Sequence, residues 1–147
     1  MLPEFDDEGD LPPGIHTATL ADLEQRCGQF TLSDRRVRLF ARLRQIVDLA
    51  KASGIIERII VGGSFVTAKA EPNDVDLVIV VSPDVEFETL TPTQYVVTDR
   101  DALRRVVKSG DCDVIVVRAR TERLQTVIEF FQANRNNKAV GIVELRL

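Results

Sequence analysis

The feature that most restricts the fold of this chain is a pair of valine- and isoleucine-rich runs with a short polar connection between them. The first run covers residues 55–61 and the second covers residues 74–81. Runs of β-branched residues of this length are typical of strands that are covered on both faces. A short connection favours antiparallel pairing of neighbouring strands. We therefore expect the end of the first strand and the start of the second to meet at one edge of a sheet.

The residues at this predicted edge are suited to binding a phosphate. Gly63 and Ser64 follow the first run, and Asp74 and Asp76 begin the second. Two aspartates at positions i and i+2 of a strand project from the same face. A glycine turn lets the backbone approach a ligand closely, and free N–H groups at the start of a following helix suit an anion. We expect that helix at residues 65–70.

A third carboxylate is expected from a later strand. Residues 112–117 form another apolar run, and Asp113 would lie beside Asp74 and Asp76 if this strand ran parallel to the second. Asp111 is the alternative, although it adjoins a predicted turn. Three clustered carboxylates repel one another and raise their own pKa values, and Mg²⁺, which prefers oxygen ligands, relieves this repulsion. The sequence therefore predicts a magnesium site.

The rest of the chain predicts an α/β (α+β) fold with a mixed sheet and helices. We expect residues 1–10 to form an acidic, flexible tail and residues 11–147 to form a single domain. Residues 82–97 give no clear element. The helix signals are a cap at Thr19, a cap at Ser33, a cap at Thr98 and an apolar stripe after Thr121. They predict helices at 20–26, from Ser33 to Gly54, at 98–109 (ended by Gly110) and at 121–134, and the final apolar run predicts a strand at 140–147.

Charge and composition exclude several classes of protein. The net charge of −4 argues against a general nucleic-acid coat protein. A stripe of arginines at helical spacing is formed by Arg35, Arg38 and Arg42. It has two interpretations, either the solvated flank of a helix or a contact surface for RNA or an acidic partner. His16 is the only histidine, which argues against a Ser-His-Asp mechanism or a histidine-rich zinc site.

The cysteines and the N-terminus predict a cytoplasmic protein. Cys27 and Cys112 lack metal-ligand spacing and are expected to be reduced thiols. The acidic N-terminus differs from the basic start of a signal peptide. No apolar run approaches the length that crosses a bilayer, so we expect no membrane association.

The segment from Val61 to Leu77 resembles the motif of the DNA polymerase β-like nucleotidyltransferase superfamily. A hydrophobic residue and a Gly-Ser pair are followed, after nine residues, by Asp-x-Asp with hydrophobic neighbours. The resemblance implies a minimal, palm-like nucleotidyltransferase fold. It also implies that Gly63 and Ser64 bind a nucleoside triphosphate, with ATP as the expected nucleotide. The metal ligands and catalytic residues that it implies are Asp74, Asp76 and Asp113.

The whole chain is also similar to a bacterial family of small nucleotidyltransferase-like proteins, through four segments. These are residues 11–16, 63–67, 72–76 and 138–145. Minimal nucleotidyltransferases of toxin–antitoxin pairs often carry an arginine shortly after the Gly-Ser turn, whereas Lys69 is the first cation here. Lys69 has two interpretations at this stage, as a phosphate contact or as an exposed residue of a short helix.

Three functions follow from these patterns. The first is a Mg²⁺-dependent nucleotidyltransferase that moves a nucleoside monophosphate to a hydroxyl of a protein, an RNA or a small molecule, within a toxin–antitoxin or defence system. The second is a catalytically silent protein of the same fold, such as an antitoxin that acts by contact with a toxin. The third is a toxin that modifies tRNA ends, for which the arginine stripe is the supporting feature.

Overall fold

The computed structural model describes residues 1–108 and 111–147, and its centre is one mixed β-sheet of five strands. The strands are β1 (Gly14–Ala18), β2 (Ile56–Gly62), β3 (Val75–Val81), β4 (Cys112–Arg118) and β5 (Gly141–Arg146). The helices are α1 (Leu20–Cys27), α2 (Arg35–Ser53), α3 (Pro92–Thr98), α4 (Arg100–Val107) and α5 (Glu122–Phe131), and 3₁₀ turns cover Gly63–Val66 and Phe87–Thr89.

The strand order is β1-β5-β2-β3-β4, and β2 runs antiparallel to both of its neighbours. The outer pairs, β1 with β5 and β3 with β4, are parallel. This confirms the predicted mixed α/β class, the antiparallel pairing of the first two apolar runs and the parallel pairing of the second with the third. The predicted strand boundaries lie within one or two residues of those observed.

Both faces of the central strands are covered, which explains their uninterrupted apolar sequences. Along β3, Leu77 and Ile79 belong to a large core that includes residues of α1, α2 and α4. Val78 and Val80 point the other way, into a smaller core with residues of α5. Alternate residues of one strand therefore serve two separate apolar layers.

The loop between β2 and β3 is fixed by a buried arginine near the start of α2. We call residues 63–74 the connecting loop. Arg36 is only 4% exposed. Its guanidinium donates hydrogen bonds to the carbonyl oxygens of Phe65 (2.7 Å), Thr67 (2.7 Å), Lys69 (3.1 Å from Nε) and, in α1, Cys27 (3.1 Å). It also lies over the Phe65 ring. Since buried carbonyl groups need donors, this side chain holds the first half of the loop, residues 65–69, in place.

The second half of the connecting loop, residues 70–73, is held by residues at and just before the start of α2. Arg35 donates to the carbonyl oxygens of Pro72 (2.6 Å, from Nε) and Asn73 (2.8 Å, from Nη2). The Thr31 hydroxyl donates to the carbonyl oxygen of Ala70 (2.8 Å). The dipole of α2 favours anions at its first turn, so the two arginines at this position are unfavourable on their own. Their contacts with the connecting loop account for their presence there.

The N-terminal segment differs from the flexible tail that the sequence predicted. Leu2 is 4% exposed within the large core. Arg26 donates to the carbonyl oxygens of Leu2 (3.0 Å) and Pro3 (2.6 Å). The Ala68 N–H donates to the carbonyl oxygen of Gly9 (2.8 Å). The segment therefore packs against the domain, including its connecting loop.

The acidic character of this segment is balanced by one lysine from a distant turn. The Lys138 ammonium lies 2.8 Å from Asp6, 2.9 Å from Asp10 and 3.2 Å from Glu8. These contacts raise the pKa of Lys138 and lower that of Asp6. The prediction of a mobile tail was wrong because local composition does not reveal a partner more than a hundred residues away.

Two helix predictions were also wrong in detail. Instead of the helix expected at residues 65–70, the structure has a single 3₁₀ turn that begins at Gly63. The chain becomes extended at Thr67, whose carbonyl oxygen accepts a hydrogen bond from Arg36. The helix expected to begin at Thr98 begins at Arg100, because Asp99 caps it through the N–H of Ala102.

The remaining boundaries show smaller differences. Thr98 is the last residue of α3, which was not predicted although Thr91 and Gln94 form a capping box at its start. The predicted end of the following helix, at Ser109 and Gly110, lies outside the described residues. α2 begins at Arg35, where the predicted cap Ser33 accepts the backbone N–H through Oγ (3.2 Å).

The edge strand β1 was not predicted either. It pairs with β5 alone, and only one of its five residues is fully buried, so its sequence lacks the apolar run of the central strands. Within residues 1–108 and 111–147, no helix is both long and apolar enough to span a bilayer.

The buried arginine leads to a stability prediction. Replacement of Arg36 by methionine keeps most of the side-chain volume but leaves four carbonyl oxygens without their donor. We expect the free energy of unfolding to fall by about 3 kcal/mol or more, measured by urea denaturation. The control is Arg38→Met, which removes an exposed guanidinium paired only with Asp34 one helical turn away. It should change stability by less than about 0.5 kcal/mol. Equal effects of the two substitutions would contradict the structural role of Arg36.

Candidate functional site

Three aspartates converge at one edge of the sheet. Asp74, Asp76 and Asp113 each offer one carboxylate oxygen, and these three oxygens all lie within 4.8 Å of one another. The β3–β4 register places Asp76 directly opposite Asp113, and Asp74 immediately precedes β3. We call these three residues the carboxylate cluster. The structure thus brings together the three acids that the sequence proposed, with Asp74 and Asp76 half-buried and Asp113 exposed.

The alternative acid, Asp111, has a different place. It lies in the turn before β4, where its carbonyl oxygen accepts a hydrogen bond from the Val75 N–H (2.9 Å). Its charge nevertheless contributes to raising the pKa of Asp74. Cys112, between Asp111 and Asp113, points into the large core on the opposite face, as expected for a small buried side chain.

The Gly-Ser turn packs directly against the carboxylate cluster. Gly63 has φ = +77°, and a Cβ atom at this position would overlap the Asp76 carboxylate, with its Cγ only 2.9 Å away. Ser64 follows within the 3₁₀ turn, and its carbonyl oxygen accepts from the Thr67 hydroxyl (2.7 Å). The bare glycine is therefore needed for both the backbone conformation and the space that Asp76 occupies.

The electrostatics of the cluster favour capture of a cation. Burial, followed by the charges of Asp74 and Asp113, raises the pKa of Asp76 to about 6. Burial, followed by the charge of Asp113, also raises the pKa of Asp74. A divalent cation would remove the part of these shifts that comes from repulsion between the carboxylates, and an all-oxygen donor set suits a hard cation such as Mg²⁺.

Three arginines flank the cluster. Arg104 of α4 places Nη2 3.9 Å from Asp113 Oδ1. The charge of Arg35 partly opposes the rise in pKa of Asp74, although its guanidinium binds loop carbonyls. Arg135, in the turn between α5 and β5, opposes the rise in pKa of both Asp74 and Asp76.

The sequence analysis missed Arg135 because this residue is about sixty positions away from the Asp-x-Asp motif. The one available signal was the polar turn of residues 134–137 immediately before the final strand. A turn at that position lies at the sheet edge where β2 ends, since β5 pairs antiparallel with β2.

The other predicted basic contacts have mixed outcomes. Lys69 is exposed, and its backbone carbonyl is held by Arg36; its contact with a phosphate stays a prediction. In the arginine stripe, Arg35 binds the connecting loop, Arg38 pairs with Asp34, and Arg42 donates to the Val107 carbonyl oxygen (3.4 Å). Each arginine of the stripe therefore has a partner within the chain, and a contact of the stripe with RNA or an acidic partner stays a prediction. His16 likewise has a structural partner, the Pro12 carbonyl oxygen (2.6 Å).

A comparison of two glycines tests the packing of the turn on the cluster. Gly54 and Gly63 have nearly equal positive φ angles, +71° and +77°, but a Cβ at Gly54 would meet nothing within 4 Å. Gly54→Ala should therefore cost only the backbone strain, about 1 kcal/mol. Gly63→Ala should lower the free energy of unfolding further and weaken Mn²⁺ binding by displacing Asp76, whereas Gly54→Ala leaves Mn²⁺ binding unchanged. Calorimetric titration and urea denaturation measure both effects, and equal behaviour of the two variants would contradict the proposed contact.

The raised pKa of Asp76 leads to a pH prediction for the metal-free protein. Because the pKa of Asp76 is about 6 in the folded state and 3.8 is the ordinary value of an aspartate carboxyl, the folded protein binds the proton more tightly than the unfolded chain does. This contribution to stability is fully present below pH 4 and is lost as the pH rises through 6. Asp76→Asn removes it. In EDTA, we therefore expect the stability of the variant relative to the parent protein to increase from pH 4 to pH 7, measured by denaturation at each pH; a constant difference would show an ordinary pKa.

Comparison with known proteins gives one structural and one family relationship. The chain is similar to a crystal structure described as "a putative nucleotidyltransferase from Sulfolobus solfataricus", with 17% sequence identity and a TM-score of 0.40, over 71% of this chain and 87% of the other. No curated protein matches the sequence. Residues 3–146 match the model of DUF6932, which is described as a family of unknown function. Because this match spans nearly the whole chain, the protein belongs to the DUF6932 family.

Proposed function

We propose that this protein is a metal-dependent nucleotidyltransferase, which moves a nucleoside monophosphate from a nucleoside triphosphate to a hydroxyl group and releases pyrophosphate. The observation that carries the proposal is the carboxylate cluster of Asp74, Asp76 and Asp113, packed against the left-handed Gly63. An acidic cluster beside a backbone turn can hold a divalent cation together with the phosphates that the cation neutralises.

The donor set fits Mg²⁺. The three carboxylates supply oxygen ligands from two neighbouring strands and the residue before one of them, and the exposed position of Asp113 leaves room for water or substrate oxygens. Mg²⁺ retains such ligands because it dehydrates reluctantly. When bound, it would neutralise phosphate charge and promote attack by the acceptor hydroxyl. Asp113, the most exposed of the three, would also accept the proton of that hydroxyl.

The phosphate chain would lie along the Gly-Ser turn. The first N–H groups of a 3₁₀ turn lack partners within the turn, and Gly63 has no side chain to block their approach. Gly63 and Ser64 are therefore assigned to the triphosphate, with ATP as the expected nucleotide and Lys69 as a further phosphate contact. The acceptor belongs to a protein, an RNA such as tRNA, or a small molecule. A role beside a toxin partner in the cytoplasm is part of the same proposal.

One observation favours the alternative of a silent protein of this fold that acts by contact. Arg104 stands 3.9 Å from Asp113, whose side chain is 66% exposed, so the third acid is partly neutralised by the protein itself. A protein of this kind would retain inhibition of a co-purified partner after loss of the acids. A nucleotidyltransferase would lose its activity with them.

The proposal is tested by removal of two acids with a charge-matched control. Asp74→Asn combined with Asp76→Asn should weaken Mn²⁺ binding at least tenfold and reduce label transfer from α-labelled nucleoside triphosphates to a cell extract at least a hundredfold, since both ligands lose their charge. The control combines Asp7→Asn with Asp48→Asn, two exposed acids away from the cluster. It should match the parent protein in both measurements. Label transfer that survives loss of both cluster acids would refute the proposed mechanism.

A further inference from the structure

We propose that Arg135 is the residue that binds the phosphates of a polyphosphate ester at the carboxylate cluster. This inference rests on the proposed function and extends it to the chemistry of the ligand. The side chain comes from the turn between α5 and β5, which neither the Asp-x-Asp motif nor the Gly-Ser turn includes.

The sheet topology places this turn at the edge of the sheet where the cluster lies. β5 pairs antiparallel with β2, with Val143 opposite Val61, so the turn before β5 lies near the end of β2. There Gly62 stands opposite Asp76. The end of α5 reaches the same place, because a Cβ atom at Gly62 would lie 2.8 Å from the Phe131 ring. The elements on both sides of the turn therefore pack beside the cluster.

The turn itself has a defined conformation. Asn134 Oδ1 accepts hydrogen bonds from the N–H groups of Asn136 (2.9 Å) and Lys138 (3.0 Å). The Asn134 N–H donates to the Lys138 carbonyl oxygen (3.0 Å), and an isolated bridge joins Ala133 to Ala139. Lys138 is fixed in addition by the acidic N-terminal segment. Arg135 thus extends from a held backbone, which lowers the entropic cost of binding an anion.

The other two flanking arginines already have partners. Arg35 donates to two carbonyl oxygens of the connecting loop, and Arg104 forms an ion pair with Asp113. Arg135 is exposed and makes no hydrogen bond or ion pair with any residue in 1–108 or 111–147.

The charge balance explains why a cation is needed there. Divalent cations held by three carboxylates cannot fully neutralise a triphosphate as well, so the complex needs further positive charge. A guanidinium binds phosphate oxygens in pairs through its planar fork, and its charge does not depend on pH. A ligand with one phosphate would gain less from this arrangement than a polyphosphate. The inferred ligand class is therefore a metal-bound polyphosphate ester.

The experiment uses two probes, Mn²⁺ alone and inorganic tripolyphosphate with Mg²⁺, each titrated calorimetrically into the full chain. Arg135→Ala should weaken tripolyphosphate binding at least tenfold. The same variant should bind Mn²⁺ as tightly as the parent protein or more tightly, because loss of a neighbouring positive charge favours another cation. Arg135→Lys should recover only part of the tripolyphosphate affinity. The control Arg38→Ala removes an equal charge from an exposed site on α2 and should leave both affinities unchanged.

The results separate this inference from the proposed function. Unchanged tripolyphosphate binding by Arg135→Ala would overturn the inference, and so would a parallel loss of Mn²⁺ binding, which would give Arg135 a structural role. No binding of tripolyphosphate by the parent protein would overturn it as well. If Arg135→Ala weakens binding as expected but the parent protein transfers label from none of the nucleoside triphosphates, the assignment of Arg135 stands and the transferase fails.

Discussion

The arrangement of this molecule depends on a buried guanidinium that is bound by carbonyl oxygens. Burial lowers the pKa of Arg36, and the backbone oxygens of the connecting loop and of Cys27 replace the water that the side chain has lost. The positive charge of Arg36 is therefore stabilised by carbonyl dipoles, most of which belong to the connecting loop that this side chain holds in place. The loop cannot move without exposing that charge to an apolar surrounding, and this couples the path of the loop to the folding of α2.

This coupling also helps to position the three acids of the carboxylate cluster. Burial, followed by the charges of the neighbouring acids, raises the pKa values of Asp74 and Asp76, and the repulsion between the acids would separate the strand ends if the connection were loose. The β3–β4 ladder fixes Asp76 and Asp113, while Arg35 and Arg36 fix the loop that leads into Asp74. The protein therefore maintains an unfavourable cluster at the expense of stability, as binding sites commonly do. A bound cation would convert the repulsion into attraction.

The sequence predicts the central strands well because runs of β-branched residues indicate strands that are buried on both faces. The starts of two of these strands, β3 and β4, then determine which acids meet. The remaining features depend on distant partners. Arg36 falls in the apolar stripe of α2 with Phe40, Leu43 and Val47, and that placement was the available sign of a buried cation. β1 forms through its pairing with β5, because its own sequence lacks an apolar run. The N-terminal segment was predicted to be a tail because local composition does not show that Leu2 packs into the large core or that Lys138 pairs with the acidic residues.

The same N-terminal segment links the two loops that carry the proposed ligand contacts. Gly9 accepts a hydrogen bond from Ala68 in the connecting loop, and Asp6 and Asp10 bind Lys138 in the turn that carries Arg135. These two loops belong to opposite sides of β2, and they share no strand pairing with each other. The acidic segment therefore contacts both the loop that leads to Asp74 and the turn that carries Arg135. Acidic residues that composition alone would leave in solvent thus help to position the turn of Arg135, as the proposed binding of a polyphosphate requires.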